Sequence, residues 1–195
     1  MTVTTQKLTF EEYLKYEDGT DSRYELVNGE LVSMSLGKGR HGRIIRFLAR
    51  KLDAEIAKQR QPWIAEHSLI GVQSPRGSRW DTSRIPDITV LPVAQFEAMD
   101  DRETVIRLNE PPPLLVVEVV SPSTQSDDYR AKRTEYAGLE IPEYWIVDPI
   151  EGCIIVGAME NRFYDSSDFR GDEIVRSHTF PNLKLTVAQI LSAKL

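Results

Sequence analysis

Residues 114–120 read LLVVEVV, six aliphatic residues around a single carboxylate, Glu118. The run follows Pro111, Pro112 and Pro113 and stops at Ser121, Pro122, Ser123 and Thr124. A short run this apolar, bounded by breakers, reads as a strand buried on both faces. Burying an ionised carboxylate costs on the order of several kcal/mol unless it is paired. Glu118 therefore has either a basic partner inside the core or a bound cation at the strand's exit. It lies near the strand's C-terminal end, where open α/β sheets keep their sites.

The neighbouring segments supply the rest of a sheet. In RIPDITVL, residues 84–91, proline lacks a backbone donor, so the strand starts after Pro86 and Asp87 sits where it begins or bulges. Upstream, WIAEHSLIGVQ (63–73) reads as one strand, carried on by the polar turn SPRGSRWDTS (74–83). A polar connection over 93–109 contains a short helix, AQFEAMDD. Downstream, 126–138 reads as a helix that presents Lys132 and Tyr136, four apart, on one face and ends at Gly138. EYWIV (143–147) is another short buried strand, stopped by Asp148-Pro149.

Near the N-terminus, Thr9 caps a short helix with Glu12 as its capping-box partner. RYELVNGELVSMS (23–35) is a hairpin around Asn28-Gly29, with Glu25 and Glu30 on either side of the turn. The loop GKGRHG (37–42) leads into an amphipathic helix over 43–59. One face carries Ile45, Leu48, Leu52 and Ile56; the other carries Arg43, Arg46 and Arg50, joined by Arg40 and His41 ahead of the helix. The tail alternates short strands and turns (GCIIVGAME, NRFYDSS, EIVRSHT) before a small helix, TVAQILSA.

This order of elements predicts an α/β (α+β) fold, a mixed central sheet flanked by helices, with an N-terminal hairpin and a β-rich C-terminal extension. Its 195 residues suit one domain: helix and hairpin over 8–35, a core over about 40–149, and a tail over 150–195. The net charge of −6 gives no global attraction to nucleic acid, so any such binding needs a local patch. From Arg40 to Lys51 there are five Lys/Arg and no acid, which is either a phosphate-facing surface or an ordinary solvated helix face. A lone cysteine, Cys153, excludes an internal disulfide and a Cys-based zinc cluster. The chain has no charged-then-apolar start and no apolar run of about 18 residues. Export and membrane spanning are not suggested, and a cytoplasmic location is expected.

If the two strands are neighbours, Asp87 and Glu118 converge on one hard cation. Mg²⁺ takes oxygen ligands and keeps several waters, so two carboxylates suffice to hold it, with Mn²⁺ as a possible substitute. Such an ion would neutralise charge on a phosphate and lower the pKa of a bound water, and a nearby Lys132 would stabilise the transition state.

The ordered motifs PDI (86–88), EVVSPST (118–124), Asp128-xxx-Lys132-xxx-Tyr136 and EYWIVDP (143–149) resemble the putative restriction endonuclease family, a group within the PD-(D/E)xK nuclease superfamily. RYELVNGELV and RHGRI add to the likeness, which covers roughly residues 8–190. The resemblance implies a restriction-endonuclease-like core and metal-dependent cleavage of phosphodiester bonds. Asp87 and Glu118 resemble the superfamily's metal-binding acids, and Glu25 resembles an acid added from an N-terminal element to complete the metal site. The motif lysine two residues past the second acid is missing, because Val120 stands there; Lys132, on the next helix, matches the alternative position. Arg84 matches the basic residue before Pro-Asp, and His41 and Tyr136 match positions lining the cleft.

The leading expectation is a Mg²⁺-dependent endonuclease acting on DNA, with Glu25, Asp87 and Glu118 as metal ligands and Lys132 assisting. Arg40, His41, Arg43, Arg46, Arg50 and Arg84 would face nucleic acid, and the resemblance implies a homodimer. Two other readings stand beside it. One is a catalytically degenerate nuclease-like fold that binds nucleic acid or a protein partner. The other is a purely structural domain in which Glu118 pairs with Lys132 or Arg133.

Overall fold

The computed structural model describes residues 7–20, 22–34, 37–75 and 81–194. The first six residues and the middle of the turn expected over 74–83 lie outside that range.

The strand expected over 114–120 is β8 (Leu115–Val119), and it is buried along its whole length. It lies between β6 (Ile88–Pro92), antiparallel to it, and β9 (Glu143–Asp148), parallel to it. Together with β3 (Trp63–His67), β10 (Cys153–Glu160) and β11 (Phe163–Arg170) these form a six-stranded mixed sheet in the order β11-β10-β9-β8-β6-β3.

Side chains alternate across a strand, and here each face of β8 has a cover. Leu115, Val117 and Val119 join a cluster with Ile44, Ile45, Leu48, Leu52 and Ile56 of helix α2 (Gly39–Gln59) and with Ile190 of α5 (Val187–Ser192). Val116 and Val120 pack on the other face with Tyr136 of α4 (Lys132–Gly138) and with Tyr144 and Ile146 of β9. Two covered faces explain why the run reads as continuously apolar rather than alternating. By the same alternation, Glu118 points toward α4.

A second sheet, β2-β1-β5-β4-β7, carries the N-terminal hairpin. Its strands are β1 (Tyr24–Val27), β2 (Glu30–Ser33), β4 (Gly71–Gln73), β5 (Ser83–Arg84) and β7 (Val105–Ile106). The hairpin turns at Asn28 and Gly29, with φ of 52° and 80°, the two positive values that a type I′ turn requires. α1 (Phe10–Leu14) and α5 both open on capping boxes, Thr9 with Glu12 and Thr186 with Gln189. α3 (Val93–Glu97) follows β6 directly. None of the helices among the described residues is long and apolar enough to cross a membrane.

Several boundaries differ from expectation. Residues 63–73 form two strands in two sheets, because Ser68 takes a left-handed conformation (φ 50°) and redirects the chain. α2 starts at Gly39, which puts Arg40 and His41 in its first turn rather than in a loop. The helix over 126–138 opens with a π-helical turn, Asp127–Ala131, in which the Lys132 N–H bonds to the Asp127 carbonyl. The left-handed residue after α4 is Glu140 (φ 55°), two residues past Gly138. Of EIVRSHT, only Ile174 pairs, in a single bridge to Thr186.

Candidate active site

β6 and β8 run antiparallel with Ile88 opposite Val117, so Asp87 at the start of one strand lies beside Glu118 at the end of the other. The Asp87 carboxylate accepts the Val119 N–H at 2.7 Å, which fixes it against the exit of β8. Its second oxygen lies 3.3 Å from His41 Nε2. That hydrogen bond raises the His41 pKa above its ordinary value, against the opposing effect of burial.

Glu118 is 3% exposed, and both of its oxygens are engaged by α4. Lys132 Nζ lies 2.8 Å from Oε2 and the Tyr136 hydroxyl donates to Oε1 at 2.7 Å. The four-residue spacing that puts Lys132 and Tyr136 on one face thus brings both to one carboxylate. Lys132 also lies 3.0 Å from Asp128 Oδ1. Asp128 is 1% exposed, and burial raises its pKa against the opposing pull of Lys132 and the Thr124 side chain.

These charges compete. The Glu118 carboxyl is pushed up to about 8, chiefly by burial and further by Asp128, Asp87 and Glu25, with Lys132 pulling the other way. Burial likewise works against the Lys132 ammonium, but Glu118, Glu25 and Asp128 outweigh it and hold Lys132 protonated. Three acids act on the one ammonium and Asp87 adds a fourth beside Glu118, so acids outnumber the lysine at this centre, which suits a cation.

Glu25 reaches the same cleft by another route. β1 pairs with β5 through Leu26 and Ser83, which carries Glu25 to the segment ahead of Asp87. There it accepts the Ile85 N–H at 2.9 Å and Arg84 Nη1 at 3.1 Å. Arg84, expected on a nucleic-acid face, is instead 1% exposed and forked onto Glu135 of α4 at 2.8 and 3.1 Å. Burial disfavours its charge, but Glu135 and Glu25 more than offset this and raise its pKa. This buried guanidinium is committed to Glu135 and Glu25, ties the hairpin to α4, and does not stand on the exposed basic face with the α2 arginines. The other basic residues, Arg40, Arg43, Arg46 and Arg50, are exposed on α2.

The cleft that collects these groups has a volume of about 260 Å³. Glu25, His41, Arg84, Asp87, Glu118 and Lys132 all line it, with Val32 and Met34 of the hairpin at its edge. Among the described residues, no three or more His, Cys, Asp or Glu side chains converge as a ready-made metal cage. The donor set still fits a hard cation, since Asp87 and Glu118 are adjacent oxygen donors and one or two carboxylates with waters suffice for Mg²⁺. A roomier depression of about 580 Å³ opens beside Tyr129, but it mixes Arg130 and Arg170 with Glu151 and Asp168. The smaller cleft is the one that gathers Asp87, Glu118 and Lys132.

Sequence reasoning assigns no role to Asp128 or Glu135. For Asp128 a signal is present in the Asp128-xxx-Lys132 spacing; for Glu135 there is none, because its partner lies 51 residues away.

Three comparisons bear on this arrangement. A crystal structure of a nuclease from Anabaena variabilis, described as putative and belonging to DUF820, superposes with a TM-score of 0.75 at 19% identity, covering 95% of this chain and 98% of that one. At that identity the likeness shows a shared fold. An uncharacterized protein from Synechocystis is 26% identical over 147 residues, 74% of this chain and 77% of the relative. The family model Uma2, described as "Putative restriction endonuclease", matches residues 10–188. That match spans most of the sequence, both strands of the cleft and helix α4, and the chain belongs to the Uma2 family.

Proposed function

We propose that this chain is a divalent-metal-dependent endonuclease that hydrolyses phosphodiester bonds of DNA. The observation that carries the reading is the meeting of Asp87 and Glu118 across β6 and β8, with Lys132 on Glu118, in a cleft that opens at the strand's exit. Asp87 and Glu118 would hold Mg²⁺, or Mn²⁺ in its place, with Glu25 as a further ligand once released from Arg84. Such an ion supplies charge neutralisation at the scissile phosphate and a more acidic water.

The chain's own residues do the rest. The Val119 N–H orients Asp87, and the Tyr136 hydroxyl orients Glu118, so neither acid is free to turn away. Lys132 keeps a positive charge at the site and would stabilise charge developing on the phosphate. α2 starts at the cleft with Gly37 and His41 lining it, and its exposed Arg40, Arg43, Arg46 and Arg50 would track the DNA backbone without reading bases. Homodimeric assembly and a cytoplasmic setting complete the reading; the first rests on the resemblance to nucleases of this fold.

The test is nicking of supercoiled plasmid with Mg²⁺ and with Mn²⁺, against chelator controls and Lys132→Met. Nicking that needs the metal and falls at least about a hundredfold in the variant is expected. DNA binding with no cleavage under any metal would leave a binding module in place of an enzyme.

A further inference from the structure

Lys132 is held by two buried acids, and only one of them faces the cleft. Nζ lies 2.8 Å from Glu118 Oε2 and 3.0 Å from Asp128 Oδ1. Glu118 lines the cleft; Asp128 does not. The backbone of Asp128 is fixed at both ends, its N–H to the Thr124 carbonyl at 2.9 Å and its own carbonyl to the Tyr144 hydroxyl at 2.8 Å. Its carboxylate is buried on the far side of the Lys132 ammonium from Glu118, with Oδ1 3.0 Å from Nζ. Lys132 is thus the charged partner of this buried carboxylate, as a carboxylate in the interior requires.

We infer that Asp128 is a positioning residue that anchors the Lys132 ammonium when Glu118 gives its charge to a cation. This rests on the proposed metal site at Asp87 and Glu118. A buried lysine with a single carboxylate partner loses that partner when the carboxylate binds a metal. The ammonium and the cation then compete for the same oxygens. With Asp128 behind it, the ammonium shifts its main interaction from one acid to the other and stays in the cleft, charged, without opposing the metal. The four-residue step from Asp128 to Lys132, across the join between the π-turn and α4, makes that shift a small side-chain movement.

A double-mutant cycle on cation affinity tests this without relying on activity. Mn²⁺ binding is measured by calorimetry for wild type, Asp128→Asn, Lys132→Met and the double variant. Anchoring predicts that Asp128→Asn weakens Mn²⁺ by about tenfold or more, because the ammonium now competes for Glu118. Lys132→Met alone should change affinity by less than about threefold, yet restore it in the Asp128→Asn background, a strongly non-additive result. Additive effects would reduce Asp128 to a bystander charge and overturn the inference. A double variant that stays weak would make Asp128 a ligand, which overturns it equally.

Should Asp128→Asn not fold, Asp128→Glu keeps the charge on a longer arm. Affinity within about threefold of wild type is then expected, and a loss beyond about tenfold would again mark a ligand. Wild type that binds no Mn²⁺ would refute the metal reading itself, and the inference with it. The other failures refute the inference alone.

Discussion

Replacing Arg84 with Met tests the buried network that joins the hairpin to the core. Methionine keeps an unbranched apolar chain but removes every donor. Glu135, 3% exposed, is deprived of a two-pronged partner at 2.8 and 3.1 Å, and Glu25 of a donor at 3.1 Å. Removing one member of a buried ion pair costs about 3–5 kcal/mol, because the other is left charged in the interior. For a chain of this length each kcal/mol lowers Tm by about 2–4 °C, so a fall of roughly 6–20 °C is expected. Urea denaturation gives the free energy and a calorimetric scan gives Tm. Arg84→Met combined with Glu135→Leu should recover much of the loss, since apolar residues can replace a buried pair at little cost. A loss below about 1 kcal/mol, the figure for an exposed pair, would refute the reasoning.

Three further outcomes are expected. Glu118→Gln leaves Tm nearly unchanged, because Lys132 keeps Asp128 at 3.0 Å and the change relieves an acid-rich cluster that raises the Glu118 pKa, while it weakens Mn²⁺ binding at least about tenfold; a Tm collapse with no effect on metal would favour the purely structural role. His41 has a folded-state pKa raised by Asp87, so its contribution to stability is full below the unfolded value of 6.5 and disappears as pH rises through the folded value. The stability gap between wild type and His41→Gln should therefore be widest in acid and close in base, read from urea melts across that range. Changing Arg43, Arg46 and Arg50 to Gln should leave Tm alone and lower the salt dependence of DNA binding by about 0.9 in log–log slope for each phosphate no longer neutralised; an unchanged slope would remove the α2 face from the interface.

Local chemistry made much of this molecule legible in its sequence. Asn28-Gly29 specifies its turn, the Thr9 box specifies a helix start, and LLVVEVV reads as a covered strand. The four-residue spacing of Lys132 and Tyr136 placed both on one side of α4, where Glu118 lies. What sequence did not reveal depends on partners far away in the chain. WIAEHSLIGVQ has no Gly or Pro before Gly71, so nothing local announces that Ser68 turns it from one sheet into another. Arg84 looks like a surface arginine until Glu135 and Glu25, 51 and 59 residues away, close over it. Asp128 looks like an acid at a helix entrance, and only the π-turn and its packing on β9 bury it.

The site's central claim is that Asp87 and Glu118 jointly bind a divalent cation. Calorimetric titration of Mn²⁺ into wild type and Asp87→Asn tests it most directly, because asparagine can still accept the Val119 N–H and so removes charge with little change of shape. The expected result is one site per chain in wild type and a loss of at least about tenfold in affinity in the variant. Equal affinity in the two proteins, or no binding in either, would contradict the claim and leave Glu118 as half of a buried ion pair with Lys132.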